Sequence, residues 1–174
     1  MDMKRVLLLV AAVLALAACG HKAPKMPADA VVLRSPDGQL ELKFAVVDGV
    51  PFYTLDRAGK AVVLPSRLGF DLLDRDDLDG GFTLTGTAFD SLDETWEPVW
   101  GEEASIRNHY NEVLVTVEQQ PEAARAAQRG VSVTDPEYSA DLGNPYGKGA
   151  VMQIRFRLYD DGLGFRYEFP LENA

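Results

Sequence analysis

An all-β, antiparallel sandwich is the fold class that the sequence predicts, on three observations. From Val31 onward apolar residues recur at every second position, the period of a strand with one buried face. Tight-turn signals, among them Asp37-Gly38, Asp48-Gly49 and Asp160-Asp161-Gly162, punctuate these runs. Strand and helix patterns do not alternate along the chain, which argues against parallel α/β folds.

The chain of 174 residues is long enough for one domain of ordinary size. It opens with Lys4 and Arg5, followed by an unbroken apolar run from Val6 to Ala18. That run is too short to span a bilayer and has the length of a signal-peptide core. It ends in Leu16-Ala17-Ala18-Cys19, which is similar to a bacterial lipobox, so Cys19 is the expected lipidation site. Cys19 is also the only cysteine, which rules out an internal disulfide. Residues 1–19 therefore read as a lipoprotein signal peptide. Residues 20–30, rich in Pro, Lys and Ala, read as a flexible tether. The expected location is the bacterial cell envelope, as a periplasm-facing or surface lipoprotein held to the membrane by its lipid. A net charge of −10 repels nucleic acid and anionic headgroups but is compatible with neutral sugars.

Residues 31–174 form the domain proper. Leu40, Leu42, Phe44 and Val46 alternate with polar or small residues, and Val31 to Arg34 should pair with this strand across Asp37-Gly38. Further strands are expected at Pro51 to Leu55, Ala61 to Leu64, Leu68 to Leu73, Phe82 to Thr87 and Val113 to Glu118. The clearest hairpin closes the chain: Met152, Ile154, Phe156 and Leu158 alternate before Asp160-Asp161-Gly162, and Leu163, Phe165, Tyr167 and Phe169 alternate after it. Between residues 119 and 150 the period is lost, and this aperiodic stretch reads as an insertion within a hairpin connection.

The chemistry-bearing residues concentrate between Phe89 and Glu112. This segment holds Trp96 and Trp100, the only histidine of the mature body (His109), and the carboxylates Asp90, Asp93, Glu94, Glu97, Glu102 and Glu103. Aromatic rings beside carboxylates and amides suit a sugar, with the ring on the pyranose face and the polar groups on its hydroxyls. Tryptophans in a sandwich loop also plug a core or dock a second domain, and acidic runs are usually solvated. The sequence supports neither a zinc site nor a Cys–His nucleophile, because within residues 31–174 no second histidine or thiol accompanies His109. The acidic loop of Asp74, Asp76, Asp77 and Asp79 lacks the spacing and terminal Glu of an EF-hand.

Two long motifs carry a family resemblance. Asp93-Glu94-Thr95-Trp96-Glu97-Pro98-Val99-Trp100-Gly101-Glu102 followed by Ile106-Arg107-Asn108-His109-Tyr110-Asn111-Glu112 resembles a signature block of glycoside hydrolase family 97. The run from Arg155 to Pro170, RFRLYDDGLGFRYEFP, is similar to a second block. Ser35-Pro36-Asp37-Gly38 and Pro65-Ser66-Arg67-Leu68-Gly69 are similar to the opening strands. The resemblance implies an amino-terminal β-supersandwich, galactose-mutarotase-like, preceding a catalytic (β/α)₈ barrel. The family cleaves α-glucosidic or α-galactosidic bonds, some members inverting and some retaining, and depends on calcium. Its catalytic carboxylates and most calcium ligands lie on the barrel, and a further calcium-ligating Glu follows the block ending at Pro170. No catalytic or metal residue is therefore expected in this chain, nor any cofactor of its own. The sandwich is expected to be incomplete at its carboxy-terminal end. Trp96, Trp100, Arg107, Asn108 and His109 are the candidates for barrel docking or sugar contact. The expected partners are the catalytic barrel and, through the full enzyme, an α-linked oligosaccharide. The alternative is a stand-alone carbohydrate-binding or scaffold lipoprotein.

Overall fold

The computed structural model describes residues 24–73, 78–120 and 150–170. The signal peptide with Cys19, the start of the tether, Asp74 to Asp77 of the acidic loop and residues 121–149 of the expected insertion lie outside the described residues.

The chain forms eight strands: β1 (Val31–Arg34), β2 (Leu40–Val47), β3 (Val50–Arg57), β4 (Lys60–Arg67), β5 (Phe82–Trp96), β6 (Ile106–Gln119), β7 (Val151–Leu158) and β8 (Leu163–Glu168). They make two four-stranded antiparallel sheets, ordered β1-β2-β3-β4 and β5-β6-β7-β8. Every connection inside a sheet joins neighbours, by short turns except where residues 97–105 separate β5 from β6 and residues 120–150 separate β6 from β7. Asp48 and Gly49 both take positive φ (51° and 79°), the geometry of a two-residue turn that matches strand twist, and Ala58-Gly59 repeats it between β3 and β4.

Alternation delivers one face of each sheet to a shared core. Leu40, Leu42 and Phe44 on β2 meet Val113, Val115 and Val117 on β6 and Met152, Ile154, Phe156 and Leu158 on β7, all buried. Phe44 and Phe156 join the layers, with ring centroids 5.9 Å apart, and Tyr53 packs on both Phe156 and Phe165. Each such side chain contributes about 1.5–3 kcal/mol by leaving water. The expected all-β sandwich is what forms.

Two sequence expectations are corrected. Leu68 to Leu73 is not a strand: only Phe70 makes a bridge, to Leu78, and Leu73 is fully exposed. The chain turns inward at Gly69 (φ 146°), where a Cβ would lie 2.5 Å from the Leu78 carbonyl oxygen, so no other residue fits there. The Phe89–Glu112 segment is also not a loop. β5 and β6 run through it, paired from Phe82↔Gln119 to Trp96↔Ile106, and only residues 97–105 lie between them. β7 stops pairing at Asn111, so beyond it β5 and β6 form a two-stranded ribbon that leaves the sheet body.

One step in β5 sets which way that ribbon faces. Leu84 lies opposite Val117 and Gly86 opposite Thr116, so two residues answer one. Thr85 is the extra residue, with its hydroxyl donating to the Thr116 carbonyl. This bulge shifts the alternation, placing Phe89, Ser91 and Asp93 on the core-facing side and Leu92, Glu94 and Trp96 on the outer side.

Candidate functional site

The five candidate residues all lie on the ribbon or its tip, divided between its faces. Arg107 and His109 share the core-facing side with Asp93. Arg107 grips the Asp93 carboxylate through Nε and Nη2, both at 2.8 Å. Those bonds hold the Asp93 carboxyl below its ordinary range. His109 stands between two carboxylates, with Nε2 4.0 Å from Asp93 and Nδ1 3.9 Å from Asp160 in the β7–β8 turn. Its buried Nδ1 has no hydrogen-bond partner. Asp160 in turn accepts the Asp37 backbone N–H at 2.8 Å, so the β1–β2 and β7–β8 turns meet beside β6 at this end of the sandwich.

Asn108 and Trp96 occupy the opposite side, where Asn108 Nδ2 donates to Glu94 at 3.0 Å. The Trp96 side chain is half exposed, and at the tip Trp100 and Val99 are 89% and 99% exposed. The structure thus joins Arg107 to His109 through Asp93 but does not gather the five residues into one pocket. What the tip presents instead is bare apolar surface, rimmed by the exposed carboxylates Glu97, Glu102 and Glu103. Such a tip can insert into an apolar recess, and Trp and Arg dominate contacts of this kind.

A second constellation escaped the sequence reading. On the outer face of the second sheet, Glu112 lies between two guanidiniums. Arg155 Nη1 donates to its Oε1 and Arg157 Nε to its Oε2, the latter at 2.6 Å. The Glu112 side chain is only 6% exposed although it belongs to the sheet's outward face. Arg155 also makes a two-pronged pair with Glu168 (2.6 and 3.1 Å), which Arg166 Nε joins at 2.7 Å. These bonds, with Arg155 foremost, push the Glu168 carboxyl down to about 2. The Arg157 guanidinium covers the Tyr110 ring 4.5 Å from its centroid, and burial pushes the Tyr110 hydroxyl up. The cross-strand register Glu112↔Arg157 and Arg155↔Arg166 builds this network. Its only trace in the sequence is that Arg155, Arg157, Arg166 and Glu168 fill the polar positions of the final hairpin.

The network sets three guanidiniums against two carboxylates, and both carboxylates are engaged. Among the described residues, no three His, Cys, Asp or Glu side chains converge as metal ligands.

Residues 33–174 match the family described as Glycosyl-hydrolase 97 N-terminal. Among solved structures, the chain is similar to a glycoside hydrolase family 97 enzyme from Pseudoalteromonas sp. strain K8 in complex with acarbose. The two are 26% identical, with a TM-score of 0.62 over 80% of this chain and 17% of that one. A single-substitution variant of that enzyme in complex with panose gives the same values. A β-arabinopyranosidase shares the fold at 22% identity, with a TM-score of 0.60 over 82% of this chain and 18% of that one. The chain therefore spans less than a fifth of the length of the enzymes it matches.

Proposed function

Because the chain belongs to the glycosyl-hydrolase 97 N-terminal family, we propose that it is the non-catalytic, amino-terminal domain of an α-glycosidase in carbohydrate degradation. The observation that carries this reading is the match over nearly the whole domain to a family named for one end of a glycoside hydrolase. The sandwich supports a catalytic barrel, and the barrel supplies the paired carboxylates that hydrolysis requires, together with the calcium. The substrate of the full enzyme is an α-linked gluco- or galacto-oligosaccharide. Acarbose and panose bound to the Pseudoalteromonas enzyme support that class.

The β5–β6 ribbon is the docking element in this reading. An isolated two-stranded ribbon is marginal in water, and this one ends in exposed Trp96, Val99 and Trp100. Seating the tip against the barrel buries that surface and fixes the arm. The basic, apolar and Cys19-containing start of the chain supports a lipid anchor in the cell envelope.

Hydrolysis assays test the reading. The purified chain should leave p-nitrophenyl α-glucoside and α-galactoside intact with calcium present. A family 97 barrel made separately should bind it. Calcium-dependent cleavage by the chain alone would overturn the proposal, as would a barrel that does not recognise the chain.

A further inference from the structure

His109 occupies the joint between the sandwich and the β5–β6 ribbon. The last rung of β6 with β7 is Asn111↔Leu158, and His109 is the next core-facing position beyond it. Register sets Asp93 directly across from it on β5. Asp160, two residues past Leu158, comes level with it from the β7–β8 turn. One carboxylate therefore belongs to the ribbon and the other to the sandwich, and the imidazole stands between them at 4.0 and 3.9 Å. The sandwich side is anchored, since Asp160 Oδ1 accepts the Asp37 N–H while Oδ2 is the oxygen near His109 Nδ1. The ribbon side is anchored by Arg107, which holds both Asp93 oxygens and keeps that carboxyl ionised.

A neutral imidazole has one N–H and one lone pair, so in either tautomer a lone pair faces one of these two carboxylates. The buried, unpartnered Nδ1 is the mark of that mismatch. An imidazolium has two N–H donors, one for each carboxylate. The other charges at the joint are Arg107 beside Asp93, Asp37 beside Asp160 and, farther off, Arg57, which acts on Asp37. Asp161, next in the turn, is exposed. We propose that His109 is a proton-operated latch, whose imidazolium ties Asp93 on the ribbon to Asp160 on the sandwich and so fixes the angle of the arm. Loss of the proton releases one carboxylate, and the arm then swings about the Asn111 rung. Histidine changes charge between about pH 5 and 8, so the latch acts across the physiological range. It stands apart from the docking reading. Only its consequence, a steadier tryptophan tip presented to the barrel in mild acid, rests on that reading.

Nuclear magnetic resonance of the whole chain between about pH 5 and 8 tests the latch. His21 is the only other histidine in the chain, so comparison with His109→Gln assigns the two ring signals. The amides of Asp37, Asp93 and Asp160 should shift with the midpoint of the His109 ring. Hydrogen exchange of the ribbon amides, 91–96 and 106–110, corrected for its intrinsic pH dependence, should be about fivefold slower below that midpoint than above it. His109→Gln should remove this pH dependence and leave the β7 core amides protected. Should that variant fail to fold, Asp160→Asn keeps an oxygen for the Asp37 N–H and provides the second readout. In it the His109 ring should still titrate, with the ribbon amides no longer following. Ribbon exchange that ignores the titration of His109, or that follows pH equally in the variants, would overturn the latch. A working latch beside a barrel indifferent to Trp100→Ala would remove the docking reading alone.

Discussion

Glu112 and Arg157 face each other across β6 and β7, joined at 2.6 Å, and the carboxylate is almost wholly covered although it lies on the outer face of its sheet. The cover comes from the side chains around it, since Arg155 holds its other oxygen and Arg157 lies on Tyr110. Removing the carboxylate takes from Arg157 its only carboxylate partner among the described residues and from Arg155 one of two, since Glu168 still holds it. Glu112→Ala should therefore destabilise the domain by about 2–4 kcal/mol, at or below the ~3–5 kcal/mol for breaking a fully buried pair because the Arg157 side chain is partly exposed. Glu112→Gln, which keeps the shape, should cost less. Urea melts of the two variants provide the check.

The second prediction concerns acid. The Glu168 carboxyl has a folded value of about 2 against an ordinary value of 4.5, chiefly through Arg155 and then Arg166. A depressed carboxylate stabilises the fold fully above its unfolded value and loses that contribution as pH falls through the folded one. Stability should therefore fall between about pH 4.5 and pH 2, by on the order of 2 kcal/mol from this residue. Glu168→Gln should be less stable than wild type at pH 7 and should flatten that part of the profile. Chemical denaturation at several pH values reads the difference.

At the ribbon tip the expected pattern is the reverse. Trp100 is almost fully exposed, so Trp100→Ala should change stability by no more than about 0.5 kcal/mol. Its effect should fall on association with the barrel, with a loss of about 2 kcal/mol or more, and Trp96→Ala should act alike. Calorimetric titration against a separately folded barrel measures this. Equal barrel affinity in both variants would remove the tip from the interface.

Cys19 is testable outside the folded domain. Mass spectrometry of chain recovered from the membrane fraction should find acyl mass on an amino-terminal cysteine. Cys19→Ala should release the protein to the soluble fraction. A soluble wild-type chain cut elsewhere would end the lipid-anchor proposal.

The sandwich was legible wherever one face of a strand is buried. β2 and the β7–β8 hairpin follow from period two alone, because Leu42, Phe44, Ile154 and Phe156 lie in the core and their neighbours do not. The distal half of β5 gave no such signal. Both of its faces meet solvent, so Asp90 to Trp96 carries no apolar alternation and reads as a loop. Leu68 to Leu73 misled in the other direction. Its apolar residues serve a single crossing at Gly69 and Phe70, where Tyr167 packs 4.4 Å from Phe70 and its hydroxyl accepts the Gly69 N–H at 3.3 Å. The Glu112 network was hidden for a different reason. An ion pair across strands depends on register between segments far apart in sequence, and Arg155 and Arg157 look like any solvated polar face. The candidate residues Trp96, Trp100, Arg107, Asn108 and His109 lie on one ribbon and its tip, and the division between the ribbon's two faces follows from strand register, which the aperiodic sequence there does not show.

That bulge also bears on how the gene can change. Thr85 is the extra residue opposite Thr116, so losing its codon would close the step into a regular ladder and leave every later side chain facing as before. Loss of a codon farther along, at Ala88 for example, can be absorbed in the same way. The bulge cancels, only the few residues between it and the deletion change sides, and Phe89 keeps its place opposite Val113. The long arm thus carries its own slack against small deletions. Related chains can drop a residue from this strand while Phe89 and Trp96 keep their opposite orientations.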